Sequence, residues 1–478
     1  MNKGIPRKSL PINTYLSPAI KAAKPLSSIT ALLAAQLSSA VLTLFLSLSA
    51  HAQPLPAVPV PVENPITEAK RVLGKILFWD EQLSSDNSMA CGSCHAPTAA
   101  GADLRVAAHP GADNIFGNID DVIGSPGVVR RNIQGIAIED AVFGFDVQVT
   151  NRAAPNFFAG IWAPQQFWDG RAEGQLLDPI DGTVVIVANG SLEAQALGPI
   201  LSSVEMASDG RTWVDVTTKL ETAVPMIYAA SIPGDMLTAI AASPTYGDLF
   251  ATAFGDAEIT PVRIAFAIAT YERTLVADQT PFDLGTLTAQ QAQGLAVAFN
   301  PPPPGAPDNC SACHIAPLFS DNTFRNIGVR PPAEDTGRQI VTGLAADLGR
   351  FKVPSLRNTG LKTTFMHNGS LTNLAQVIAF YAPGGQNSAV NIDPVMPIAL
   401  PALVIPGVLD FLQNGLTDPR VAAGSFPFDA PVLAATGLAD FELSLSAGEN
   451  VPLPAWAIGV LSLLLITIRS VSRQGRRT

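Results

Sequence analysis

Cys91-Gly-Ser-Cys94-His95 and Cys310-Ser-Ala-Cys313-His314 decide how this chain is read. Between them they hold all four cysteines, so no thiol is left over. In each copy two thiols share one turn of chain and a histidine follows at once. That is the set c-type haem attachment needs: the thiols add to the haem vinyl groups, and the adjacent imidazole reaches the iron from one face. A four-cysteine zinc site or two thioredoxin-like dithiols would account for the thiols, but not for a histidine directly after each pair. Two covalently bound haem c groups are expected, attached at Cys91, Cys94, Cys310 and Cys313, with His95 and His314 as iron ligands.

Outward from these motifs, both ends of the chain read as targeting segments. Lys3, Arg7, Lys8, Lys21 and Lys24 precede an apolar run from Ile29 to Leu48 and an Ala50-His51-Ala52 site. This is the pattern of a cleaved export signal, residues 1–52, and the Pro-rich stretch after it argues against a retained anchor. Export suits the cysteines too, because idle thiols in an oxidising compartment would pair as disulfides. At the other end, Val451-Pro-Leu-Pro-Ala-Trp456 leads through an apolar run to Ile468, then Arg469, Arg473, Arg476 and Arg477. This run, short beside the ~20 residues of a full span, resembles a bacterial sorting tail and implies membrane attachment through residues 449–478. The expected location is periplasmic or otherwise extracytoplasmic. Residues 53–468 hold 20 basic and 40 acidic side chains, and the net charge of the chain is −11. That balance argues against nucleic acid and suits a basic protein partner or a small neutral oxidant.

Helical spacing is clear in three places. Ala69, Val72, Leu73, Ile76 and Leu77 lead into the first haem motif; Thr260-Pro261 caps a stripe of Ile264, Ile268, Tyr271 and Leu275; and Leu374, Val377, Ile378 and Tyr381 end at a Pro-Gly-Gly turn. Pro301 to Pro304 form a stiff loop before Cys310. The expected fold is mainly α, two cytochrome-c-like haem domains with long Gly/Pro-rich loops, spanning 53–290 and 291–448. Residues 101–148 read as loop.

Phe167-Trp-Asp-Gly-Arg-Ala172, Gln195-Ala-Leu-Gly-Pro199, Ser203-Val-Glu-Met206, Thr270-Tyr-Glu-Arg-Thr274, Phe351-Lys-Val-Pro-Ser-Leu-Arg-Asn358 and Met366-His-Asn-Gly-Ser370 fall between and after the haem motifs. In this order they resemble the bacterial di-haem cytochrome c peroxidases and their MauG branch, from about Ala69 to Gln386. The resemblance implies a haem in the first domain that reacts with hydrogen peroxide and an electron-transfer haem in the second. It also implies a redox partner: a small cytochrome or copper protein, or a protein substrate.

Residue by residue, the resemblance places Gln195, Pro199 and Glu205 in the pocket of the first haem, with Glu205 moving the proton between peroxide oxygens. Trp168 matches the tryptophan between the haems, although extra residues rich in Val, Ile and Gly separate it from Gln195. Tyr381 falls at the sixth-ligand position of the second iron, where phenolate favours ferric and higher states and methionine would raise the potential. Its helical stripe alone reads as a packed core tyrosine, and Met366 and Met396 are alternative ligands. His109 could cap the first iron but reads more simply as a polar turn, and His367 as structural or as hydrogen-bonding near the second haem. The resemblance also brings calcium between the domains. Here Ala153 stands in place of the liganding asparagine, with Asn151 displaced by two, and the carbonyl positions fall on Lys362 and Thr364. The competing reading is a non-catalytic di-haem electron carrier or redox sensor. Dioxygen-dependent cleavage of an organic polymer is a third.

Overall fold

The computed structural model describes residues 53–385 and 390–434, so the expected export signal and the tail from 449 lie outside the described residues. In chain order the helices are α1 (Glu68–Trp79), α2 (Cys91–Cys94), α3 (Ser191–Ile200), α4 (Trp213–Thr222), α5 (Gly234–Ala242), α6 (Tyr246–Phe254), α7 (Pro261–Arg273), α8 (Ala289–Ala298), α9 (Gln339–Thr342), α10 (Leu374–Tyr381), α11 (Ile405–Asp410) and α12 (Pro419–Ala422). Helix is the main regular structure among the described residues. The strands form two-stranded antiparallel ribbons: β1 (Ala107–His109) with β2 (Val122–Gly124), β3 (Pro126–Val129) with β4 (Val147–Val149), β5 (Leu176–Leu177) with β6 (Val184–Ile186), and β7 (Phe324–Arg325) with β8 (Phe351–Lys352). Residues 101–148 are therefore not simply loop: they carry β1 to β4, whose three or four residues each are too few to show alternation.

The helix caps explain where the long helices start. Thr67 Oγ1 accepts from Lys70 N at α1, and Thr260 Oγ1 accepts from Arg263 N at α7, where Pro261 occupies the first turn. These two helices pack through Gly74, where a Cβ would lie 1.8 Å from the carbonyl oxygen of Ala267. Val72, Leu73, Ile76, Ile264 and Ile268 build the first core around that crossing. A second core holds Phe282, Phe299, Phe319 and Phe411, where α8 crosses α11 at Gly294 and Gly407. Val421, Phe428 and Leu433 then return to the first core, and Ala230 and Val432 exchange backbone hydrogen bonds at 2.8 Å.

The extra residues after the tryptophan motif fold into the β5–β6 hairpin. Gly190 N donates to Gly174 O at 2.7 Å, closing the base of the excursion and returning the chain to α3.

Candidate functional site

Two cavities flank Trp168, one beside each cysteine motif. The first is about 430 Å³ and is lined by Cys94, His95, Gln195, Pro199, Glu205 and Trp168, among others. His95 Nδ1 lies 2.8 Å from the carbonyl oxygen of Gly101. A carbonyl only accepts, so the proton sits on Nδ1 and the Nε2 lone pair is left free, and burial lowers the His95 pKa. Gln195 and Pro199 lie four residues apart on α3, which gives them one helix face. Glu205 sits in the turn that follows, with Glu205 N donating to Ser202 O at 3.1 Å. Strand β3 presses on this turn through Gly127, where a Cβ would meet Val204 O at 1.9 Å. The hairpin insertion therefore leaves the predicted pocket residues gathered.

The second cavity is about 160 Å³, lined by Cys310, Cys313, His314, Tyr381 and apolar side chains such as Leu374 and Ile378. His314 Nδ1 lies 2.9 Å from Phe319 O, repeating the arrangement at His95. Tyr381 ends α10, and burial pushes its hydroxyl well above the ordinary tyrosine value, so the free side chain is a neutral phenol. Met366 also lines this cavity, whereas Met396 packs beside Cys313 and Tyr381 without lining it.

Burial raises Cys91 to about 12 and Cys310 and Cys313 to about 11, so these are protonated thiols with no charge to stabilise a bare cation. The described residues contain no group of three or more His, Cys, Asp or Glu that could hold a metal ion, so the four thiols do not assemble a zinc site. Thiol pairs beside an oriented imidazole at two separate cavities do fit two c-type haems.

Between the cavities two seven-residue turns match each other closely. Gln166 N donates to Ala172 O and Phe365 N to Leu371 O, both at 2.8 Å; Gly170 N donates to Phe167 O and Gly369 N to Met366 O, both at 3.3 Å. Phe167 and Met366 share a left-handed backbone, φ 66° and 68°, and Gly170 and Gly369 lie at φ 77° and 66°. The side chains at the third position, Trp168 and His367, meet edge to face with ring centroids 6.2 Å apart. Trp168 lines both cavities, and its Nε1 donates to Ala153 O at 2.8 Å. His367 stacks on Phe351 at 3.6 Å. Burial holds its imidazole down at about 3, and its Nε2 is buried without a hydrogen-bond partner.

The expected calcium position lacks its asparagine oxygen. Ala153 offers no side-chain oxygen, Asn151 is exposed, and Asn156 is committed to backbone, its amide donating to Arg357 O and its Oδ1 accepting from Phe158 N.

His109 does line the first cavity, but its Nδ1 accepts from Gly111 N at 3.1 Å. In the neutral ring that puts the proton on Nε2, the opposite of His95 and His314.

Two cavity residues, Glu272 and Lys352, carry no role in the sequence reading, and a third, Lys362, enters it only through its backbone carbonyl at the calcium position. Glu272, 7% exposed, lines the first cavity with an unpartnered Oε2, and burial raises its carboxyl to about 8. Its place on α7, four residues after Ile268 and eight after Ile264, already marked it as facing inward. Lys352 lines both cavities and Lys362 the second. No periodicity or pairing in the sequence singles out either.

Residues 68–291 match the family model described as di-haem cytochrome c peroxidase. The methylamine utilization protein MauG of Methylophilus methylotrophus is 29% identical over 333 residues, covering 68% of this chain and 76% of that protein. The cytochrome-c peroxidase IdrP1 of Denitromonas iodatirespirans is 28% identical, covering 77% of this chain and 87% of its own length. Among solved structures, a MauG-like protein associated with microbial copper homeostasis superposes with a TM-score of 0.54 at 23% identity, covering 79% of this chain and 96% of that one.

Proposed function

Because this chain belongs to the di-haem cytochrome c peroxidase family, which takes in MauG, and is a peroxidase-like enzyme, we propose that it reacts with hydrogen peroxide at its first cavity and exchanges electrons through its second. A haem c at Cys91, Cys94 and His95 would occupy the first, and a haem c at Cys310, Cys313, His314 and Tyr381 the second, each in its own cytochrome-c-like domain of an exported protein. The observation that carries this reading is the difference between the cavities. The larger collects Gln195 and Glu205 around the site of His95, whereas the smaller has neither and is lined mainly by apolar side chains together with Tyr381.

Bound haem would supply the one-electron chemistry for reducing peroxide. Each peroxide consumes two electrons and two protons and leaves two waters. The Glu205 carboxylate accepts the proton of the bound peroxide oxygen and returns it to the departing oxygen, which leaves as water rather than hydroxide. Gln195 offers an amide to orient the peroxide, and Pro199 narrows the space beside it. The Gly101 carbonyl fixes the His95 ring and makes Nε2 a stronger donor. Trp168 gives electrons an aromatic stepping stone between the sites. Tyr381, which would help to hold the second haem, favours the MauG-like variant, in which a partner protein is oxidised rather than serving only as electron donor.

The carrier reading needs a second protein ligand at the first iron, and His109, the histidine it would have to use besides His95 in this cavity, already spends Nδ1 on Gly111 N. Electron paramagnetic resonance of the ferric, haem-loaded protein tests the choice. We expect one high-spin and one low-spin haem, the low-spin signal altered in Tyr381→Phe and the high-spin signal lost on stoichiometric peroxide. Two low-spin haems that ignore peroxide even after partial reduction would make this an electron carrier.

A further inference from the structure

The cationic side chains lining the two cavities are Arg152, Arg171, Arg325, Arg330, Lys352 and Lys362. Each arginine is already neutralised within the protein. Arg152 pairs with Asp169 and Asp335, both at 2.7 Å, and Arg171 shares Asp169 at 2.9 Å. Arg325 pairs with Asp321 at 2.9 Å and Asp393 at 3.0 Å, and Arg330 with Glu334 at 2.9 Å. The lysines differ. Lys352 Nζ reaches the backbone carbonyl of Gln165 at 3.0 Å, and neither lysine has a carboxylate within ion-pair distance among the described residues. Burial lowers both to about 8. Lys352 feels the Asp169 carboxylate, but Asp169 is already shared by Arg152 and Arg171, and Lys362 has no such neighbour. Holding an ammonium away from water without a carboxylate of its own is costly.

Their position suggests what they wait for. Lys352 lines both cavities, and Lys362 stands in the wall of the second. A haem carries two carboxylate side chains, and an ammonium with three donors suits a carboxylate. At this same junction Ala153 withholds the oxygen a calcium ion would need. We propose that Lys352 and Lys362 are reserved for the carboxylates of the two haems, and that Lys362 supplies, as a fixed ammonium, the positive charge a bridging calcium ion would otherwise bring.

This rests on the two-haem reading above, so the test begins with haem stoichiometry of the full chain by pyridine haemochrome. Fewer than two haems per chain would remove both readings together. With two haems present, calcium content is measured after dialysis against calcium and then buffer, and both reduction potentials with and without EGTA. We expect far less than one calcium per chain and potentials that EGTA does not move. Lys362→Met should lower the potential of at least one haem, because a nearby cation favours the reduced iron, and Lys362→Arg should restore it. One tightly held calcium per chain, or potentials that respond to EGTA but not to Lys362→Met, would overturn the proposal and leave the peroxidase reading standing. Should Lys362→Met fail to take up haem, the calcium and EGTA measurements on the unaltered chain still decide.

Discussion

Glu205 and Glu272 open into the same cavity, yet their surroundings assign them different work. Glu205 is partly open and sits in a turn, where it can exchange protons with a small ligand. Glu205→Gln should lower kcat/KM for peroxide by about 10²–10⁴, with the ferric haem spectra unchanged, as measured by stopped-flow. Glu272 is held neutral. Its ordinary value of 4.5 is raised to about 8 by burial, so between those values the folded protein keeps a proton that the unfolded chain has released. Its contribution to stability is full below about 4.5 and is lost as pH rises towards 8. Thermal unfolding of Glu272→Gln from pH 5 to 9 should therefore fall less steeply with pH than that of the unaltered chain. Glu272 was legible from the spacing of Ile264 and Ile268, while Glu205 was legible only through the family motif, because a turn carboxylate has no periodicity to mark its direction.

Among the elements, two helix crossings set the positions of the haem motifs, and each relies on glycine. At Gly74 a methyl group would collide with the Ala267 carbonyl, and neither helix can retreat without lifting Tyr271 and Trp79, which are hydrogen-bonded at 3.3 Å. Gly74→Ala should cost about 1–3 kcal/mol by overpacking, read as a lower denaturant midpoint. Helices with a cap and a stripe, such as those from Pro261 and Leu374, were plain in the sequence. The ribbons in 101–148 were not, because their pairing is settled by tertiary contacts rather than by local pattern. The two haem motifs also diverge: Cys91–Cys94 forms an α-turn, while Cys310–Ala312 forms a tighter 3₁₀ turn led by Asn309, whose side chain accepts from Ser311 N.

Over the whole molecule, two apolar cores are tied together by the segment through Val421, Phe428 and Leu433, which crosses back to the first. A division near residue 290 follows the start of α8 but not this return, which no local feature of the sequence announces. No helix among the described residues is long and apolar enough to cross a membrane. The net charge of −11 bears on encounter with partners. If the electron partner is a basic cytochrome, its oxidation rate at limiting concentration should fall by roughly tenfold or more as salt rises from low ionic strength, whereas the rate with peroxide alone should not change. Steady-state assays across a salt series check both.

The turns at Gln166–Ala172 and Phe365–Leu371 keep the same hydrogen bonds and the same left-handed positions although their sequences share only a ring, an Asp or Asn, and a glycine. Trp168 and His367 thus hold the same position in two matching turns and meet edge to face. The backbone presents the two rings alike, so what differs at this contact is the ring itself, an indole on one side and an imidazole on the other, and exchanging them would alter the contact without rebuilding the frame that presents it.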